Sequence, residues 1–369
     1  TMKVVRTLFR VIVGIVFIFS GFVKGIDPLG TVYRMQDYFL AFGTTWANDL
    51  ALPLTIFLCV LEFSLGISLL FNLWIRKSAW MLIAMMTYFT VLTFFDAFFN
   101  LVSDCGCFGD AIKMTNTETF LKNVVLMGMV VPIFLWRKKF KGMLKPPGDL
   151  IVLGAIMVLF TGLSLYCLWH LPVIDFRGWK TGSEVNKTSD QAVQFFVTYK
   201  NKNTGERQEF LTPNYPWNDS TWLANWIFDS QRVEDPNQDA ITLMIEDSLG
   251  NDLAQNFLEI PDYHFFVVVY SLEESNKPAL IRLKPFSVAA SQAGYSFIGL
   301  TSTLPQEVAA FKAESGIGFE FYSSDDVVLK SMIRSNPGLI LLKDGVVVKK
   351  WHYNDFPGWE QIRERYIDN

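Results

Sequence analysis

The chain has 369 residues, 51% of them hydrophobic and 18% charged, and a formal net charge of −4. That is too apolar for an ordinary soluble protein and too charged for a chain lying wholly in a membrane. Residues 1–172 carry +5 (14 basic, 9 acidic) and residues 173–369 carry −9 (18 basic, 27 acidic), so the part outside the apolar runs is acidic, which argues against nucleic acid as a partner.

Five apolar runs, roughly 8–23, 51–75, 78–101, 119–136 and 150–171, each approach the ~20 residues a helix needs to cross the hydrocarbon. The first could be a signal peptide, but Phe19-Ser20-Gly21-Phe22-Val23-Lys24 offers no small-x-small cleavage site, so it reads as a retained span. Gly25 and Pro28 stop it. The segment 31–49, with Tyr33, Tyr38, Phe39, Phe42 and Trp46, reads as a helix lying on the membrane interface. Asn72–Lys77 is a tight turn between the second and third spans. Ser103-Asp104-Cys105-Gly106-Cys107-Phe108-Gly109-Asp110 is a polar hairpin between the third and fourth. Thr115-Asn116-Thr117-Glu118 matches a capping box that starts the fourth span. Lys145-Pro146-Pro147-Gly148 separates the fifth, giving four helices plus a tether.

Ten basic residues (Lys3, Arg6, Arg10, Arg76, Lys77, Arg137, Lys138, Lys139, Lys141, Lys145) fall on one side of these spans and four (Lys24, Arg34, Lys113, Lys122) on the other. The bias predicts a cytoplasmic N-terminus. Five spans then put the cysteine hairpin and the C-terminal domain outside.

Beyond the tether, residues 195–199 and 206–211 read as a β-hairpin, and 241–245 with the turn at 247–252 suggest a second. Phe265–Tyr270 is an apolar strand, followed by a helix near 277–293, a strand at 296–300, a helix at 304–314, a strand at 319–322 and a short helix at 326–334. A hairpin (339–342, 346–351) turns over Lys343-Asp344-Gly345, and a last helix spans 357–367. Strands alternating with helices predict an α/β layer fold. The boundaries are 1–145 for the four-helix membrane domain, 146–172 for the fifth span, 173–240 for a β-rich connection and 241–369 for the exterior domain.

Cys105 and Cys107 are two of only four cysteines, one residue apart in a polar loop. The functional reading is a redox pair; a structural staple is the alternative. A Cys-x-Cys disulfide closes a small ring, and strain makes such a bond easier to reduce. A zinc site of Cys105, Cys107, Cys167 and His170 is a further arrangement, though no metal ligand is assigned. Glu62 lies deep in the second span, where an ionisable group faces the bundle interior and needs a partner; Lys24, Asp27 and Asp96 are available. Glu62 and Lys24 are the candidate cofactor-binding residues. Phe89, Phe94, Phe95, Phe98 and Phe99 could line a quinone slot or face lipid. His264 and His352 read as structural. The exterior domain has no cysteine, and no phosphate loop or catalytic triad is visible.

The strand and helix order of 241–369 resembles the thioredoxin fold, most specifically at Ile333-Arg334-Ser335-Asn336-Pro337-Gly338, where Pro337 falls on that family's cis-proline. The family's Cys-x-x-Cys is missing near Ser271–Asn276, which implies a docking module without dithiol chemistry. Residues 2–140 resemble the DoxX/MauE group of membrane proteins through Ser20–Pro28, Glu62–Leu70 and Cys105-Gly106-Cys107-Phe108-Gly109. MauE-like proteins are associated with redox maturation of periplasmic proteins. Their architecture is similar to that of the vitamin K epoxide reductase group, which passes electrons between Cys-x-x-Cys thiols and quinone. The resemblance implies a helical bundle in a bacterial inner membrane with a periplasmic thioredoxin-like domain. Its implied function is thiol–disulfide exchange on exported proteins through Cys105 and Cys107, with quinone as a possible acceptor and a client docked near Pro337. A non-enzymatic scaffold, or a subunit of a respiratory complex, is the alternative.

Overall fold

A computed structural model describes residues 2–102, 106–145, 147–185, 194–211, 214, 216, 219–234 and 243–368. Cys105, with Ser103 and Asp104, lies outside the described residues, as do parts of the 173–240 connection and the start of the second expected hairpin. Helices α1 (Met2–Ile26), α3 (Ala51–Phe71), α4 (Ile75–Phe99), α5 (Asn116–Trp136) and α6 (Gly148–Trp169) are all long and apolar enough to cross a membrane. The amphipathic α2 (Pro28–Ala41) follows α1 directly.

Local chemistry sets the ends. Thr115 caps α5, accepting from the Glu118 amide at 3.2 Å while Glu118 accepts from the Thr115 amide at 2.9 Å. Asp27 caps α2, accepting from the Gly30 amide at 3.1 Å. Asn72 turns the chain after α3 in the left-handed region (φ 57°).

α1 and α3 approach closely because Gly21 and Gly66 face the other backbone. A Cβ on either would come within 2.6 Å of a backbone nitrogen across the contact, of Phe63 and Ile18 respectively. Val13, Phe17, Leu65, Leu69, Leu82, Met86, Val130 and Ile133 fill the bundle core. α6 is more than a tether. Phe160 stacks on Phe63 with ring centroids 4.1 Å apart and packs with Cys59 and Val60 of α3.

The C-terminal region holds two sheets. β1 (Gln194–Asn201), β2 (Arg207–Leu211) and β3 (Trp226–Glu234), with α7 (Ser220–Asn225) before β3, make a three-stranded antiparallel sheet in the order β2-β1-β3. The β1–β2 hairpin was expected; β3 was not, because its Asp, Gln, Arg and Glu break the apolar alternation of a strand. After α8 (Ala254–Leu258) come β4 (Tyr263–Val269), α9 (Lys277–Gln292), β5 (Ser296–Thr301), α10 (Pro305–Ser315), β6 (Phe321–Ser323), α11 (Asp326–Met332), β7 (Gly338–Lys343), β8 (Val346–His352) and α12 (Trp359–Ile362), which runs on as a π turn.

The strand order is β6-β5-β4-β7-β8, with β4, β5 and β6 parallel and β7 and β8 antiparallel to their neighbours. The described part of the second expected hairpin is a turn with a single bridge, Glu246 to Asp252, and not a strand pair. β4 is central and buried on both faces. Phe265, Val267 and Val269 point to one cluster, Phe266, Val268 and Tyr270 to the other. The Asn336–Pro337 bond is cis.

The link from α6 is pinned to this domain. Asp175 accepts from Arg177 at 2.8 Å and from Lys350 at 2.5 Å. Burial alone would raise the Asp175 carboxyl, but the two cations hold it down at about 2.

Candidate functional site

Lys24 is in the last turn of α1 and Glu62 is midway along α3; the close α1–α3 packing turns both into the bundle interior. They form an ion pair with side chains 7% and 4% exposed. Of the partners open to Glu62, Lys24 is the one used. Asp27 pairs instead with Arg334, and Asp96 accepts from the Tyr38 hydroxyl at 2.5 Å.

Beside the Lys24–Glu62 pair lies a cavity of about 380 Å³, bounded by α1, α2, α3, α4, α5 and the hairpin. Its lining is mostly apolar and aromatic, including Phe17, Phe39, Phe57 and Phe89. The polar lining includes Lys24, Arg34, Glu62, Lys122, Thr93 and Asn123, with Ser20 and the Tyr38 end of α2. Cys107 lines it too. The Ser20 hydroxyl donates to the Cys107 carbonyl at 2.6 Å, which ties the cysteine loop to α1. Lys122 sits over the Phe108 ring at 4.2 Å, and Lys24 over Phe89 at 5.4 Å. Gly106 adopts φ +61°, and a Cβ there would meet Arg34 Cγ at 3.1 Å. The residue between the cysteines is therefore glycine on two counts, backbone conformation and the α2 side chain against it.

Three basic side chains, Lys24, Arg34 and Lys122, thus share this cavity with Cys107, against Glu62. A positive surround of this kind favours a thiolate and any anion that develops next to it. Apolar walls with a few convergent polar groups are also the common make-up of small-molecule sites, whose volumes run from about 300 to 1,000 Å³.

Residues 2–137 match the family of the methylamine utilisation protein MauE. The match covers α1 to α5 and therefore the whole cavity wall, but not α6 or the C-terminal region. No curated protein and no solved structure matches the chain. The MauE match and the five membrane-capable helices make this a membrane protein that sits in a lipid bilayer.

Several expected residues are not brought together in this MauE-matching bundle. Phe89 lines the cavity, whereas Phe94, Phe95, Phe98 and Phe99 are 41%, 43%, 64% and 66% exposed on the outer face of α4, where lipid would lie. Of the five phenylalanines, Phe89 alone lines the cavity. Asp96, between them in sequence, turns inward and is buried, while Phe94 and Phe98 meet the Phe120 ring of α5 with centroids 5.7 and 6.3 Å apart. Cys167 is buried in α6, and His170 lies 2.7 Å from Asp355 of the C-terminal region. Among the described residues no group of three His, Cys, Asp or Glu could hold a metal ion. His264 is buried, with Nδ1 3.2 Å from the Asp262 carbonyl, and His352 Nδ1 accepts from the Asn354 amide at 3.2 Å.

The face of the C-terminal region next to Pro337, expected to hold a client, is packed on the bundle. Tyr270, at the end of β4, places its hydroxyl 3.3 Å from that of Tyr33 on α2, and Arg334 reaches Asp27. Tyr38, Arg34 and Arg334 were not legible as site residues. Only the count of buried acids in spans, which demands a partner for Asp96 as for Glu62, pointed towards Tyr38.

Proposed function

We propose that this protein is an inner-membrane thiol–disulfide oxidoreductase that serves exported proteins, with Cys105 and Cys107 as the exchanging pair and the bundle cavity as the site of a quinone. The observation that carries this reading is that Cys107 lines the same apolar, cation-rich cavity as the buried Lys24–Glu62 pair. The MauE match fits an accessory role of this kind.

The chemistry balances with two partners. A client dithiol attacks the Cys105–Cys107 disulfide, and two electrons and two protons pass to the loop, leaving the client disulfide. A quinone, when bound, accepts those two electrons and two protons and restores the loop disulfide. The chain's own groups do the rest. Lys24 and Lys122 favour the thiolate form of the attacking sulfur. Glu62, paired to Lys24, can relay the proton a thiol loses. The aromatic walls can hold a flat ring.

The ten-to-four division of basic residues supports a cytoplasmic N-terminus and a periplasmic exterior domain. Lys3, Arg6, Arg76, Lys77 and Arg137 belong to helix ends remote from the α1–α2 corner and the cysteine hairpin, where the exterior domain docks. The strand order of 263–352 and the cis bond at Pro337 support a thioredoxin-like exterior domain. The proposed division is a helical domain over 1–145, α6, a β-rich connection to 240, and that exterior domain. A second reading, a non-enzymatic scaffold, is favoured by the absence of cysteine from residues 173–369.

The two separate on the redox state of Cys105 and Cys107 in membranes, read by differential alkylation and peptide mass spectrometry. The oxidoreductase reading expects the pair to move from disulfide to dithiol when quinone is depleted. It also expects Cys105→Ser to lose client oxidation. A pair locked in one state, with full activity in Cys105→Ser, supports the scaffold.

A further inference from the structure

Among the described residues, Arg334 of the C-terminal region reaches the cysteine hairpin. Arg334 follows α11 and precedes the cis Pro337 bond, and its side chain is 8% exposed. Its Nε lies 2.9 and 3.0 Å from the two carboxylate oxygens of Asp27, at the α1–α2 corner. Its Nη2 donates to Asp110 at 3.2 Å, three residues beyond Cys107. The planar fork of an arginine suits such a bridge, and a lysine could not span it in the same way.

Both acidic partners belong to the walls of the cysteine loop. Asp27 caps α2, and α2 carries the Arg34 side chain that abuts Gly106. Asp110 belongs to the hairpin itself. Burial would raise the Asp27 carboxyl, but Arg334 and then Arg177 outweigh it and hold it below the ordinary range, so it remains ionised.

The arginine is also presented rigidly. Three successive carbonyls at the end of α11 each accept from a cation: Lys330 from Arg334 Nη1 at 2.5 Å, Ser331 from Arg177 at 3.3 Å and Met332 from Lys350 at 2.9 Å. Arg177 and Lys350 share Asp175 behind them. From the front, Tyr33 places its ring 5.4 Å from the guanidinium.

We infer that Arg334 is a positioning residue for the thiol site: it sets Gly106 and Cys107 against the cavity by holding Asp110 and Asp27 together. The exterior domain thereby serves the chemistry of the membrane domain without a thiol of its own. This inference rests on the reading of the cysteines as reactive, but its test reads the thiols directly and does not depend on client or quinone.

The experiment is a double-mutant cycle on the full chain in membranes with Arg334→Gln, Asp110→Asn and both together. The cysteines are reduced, the reductant is removed, and the rate and pH profile of alkylation by a maleimide are followed. Limited proteolysis of residues 170–185 reports whether the exterior domain stays docked. If Arg334 acts through Asp110, each single variant changes the alkylation rate by at least about fivefold and the double variant goes no further, the non-additivity of residues in one charged network. Asp110→Asn should do this with the domain docked, because the bond from Arg334 to Asp27 remains. Should Arg334→Gln fail to accumulate, the comparison runs between Asp110→Asn and the wild type, with Arg334→Lys as the second arm. Wild-type alkylation in Asp110→Asn, or rates that simply multiply in the double variant, overturns the inference. Failure of the oxidoreductase reading would show separately, as a locked redox state with wild-type sequence at both positions.

Discussion

Removing either member of the Lys24–Glu62 pair should destabilise the bundle far more than removing both. The side chains are 7% and 4% exposed, so the surface rule of roughly 0–1 kcal/mol for an ion pair does not apply. A buried pair broken on one side leaves a charge without compensation, which costs roughly 3–5 kcal/mol. The cavity beside the pair can admit water, which places the cost here near the lower figure, about 3 kcal/mol. Glu62→Met should therefore lower the melting temperature of the purified protein in detergent by several degrees, and Lys24→Met should do the same. The double variant Lys24→Met/Glu62→Met replaces both charges by apolar groups of similar volume, and should recover most of the loss or exceed the wild type. Thermal unfolding followed by helical circular dichroism measures all four proteins. Single variants within about 1 kcal/mol of the wild type, or a double variant as weak as the singles, would refute the reasoning, because the pair would then be solvated like a surface pair.

Gly21→Val should destabilise the α1–α3 contact by roughly 1–3 kcal/mol or more, since a Cβ there already falls within 2.6 Å of the Phe63 nitrogen, while Gly128→Ala, with open space around it, should be neutral or stabilising; equal melting of the two would contradict the close packing. Phe89→Ala should weaken binding of a quinone analogue to the detergent-solubilised protein and Phe98→Ala should not, because Phe89 lines the cavity and Phe98 is 64% exposed; titration by fluorescence quenching checks both. Burial, opposed by Asp355 and aided by His170, pushes the His352 imidazole down to about 4 from its ordinary 6.5. The unfolded chain then binds the extra proton more readily, so this residue's contribution is present above pH 6.5 and is lost as pH falls towards 4. His352→Asn should flatten that stretch of the stability curve, as measured by denaturant titration at several pH values, and an unchanged slope would show that other groups carry it.

What the sequence determined by itself was whatever a local pattern encodes. Apolar length marked all five membrane-capable helices, though not all of their ends, because crossing hydrocarbon imposes about 20 apolar positions. Thr115 and Glu118 marked the start of α5, because capping is satisfied within one turn. Apolar runs and the turn residues between them marked β4, β5, β7, β8 and the helices between them. Even the Lys24–Glu62 pair was legible, since a charge at that depth must find a partner and few were available. The tertiary structure alone decided the rest. Nothing local ties Tyr38 to Asp96 across 58 residues, or Arg334 to Asp27 across 307. Those contacts depend on how α2 folds back over the bundle and how the exterior domain lands on it. For the same reason the five phenylalanines of α4 divided between cavity and lipid face. A single helix pattern states that a residue has a side; only packing states what that side meets.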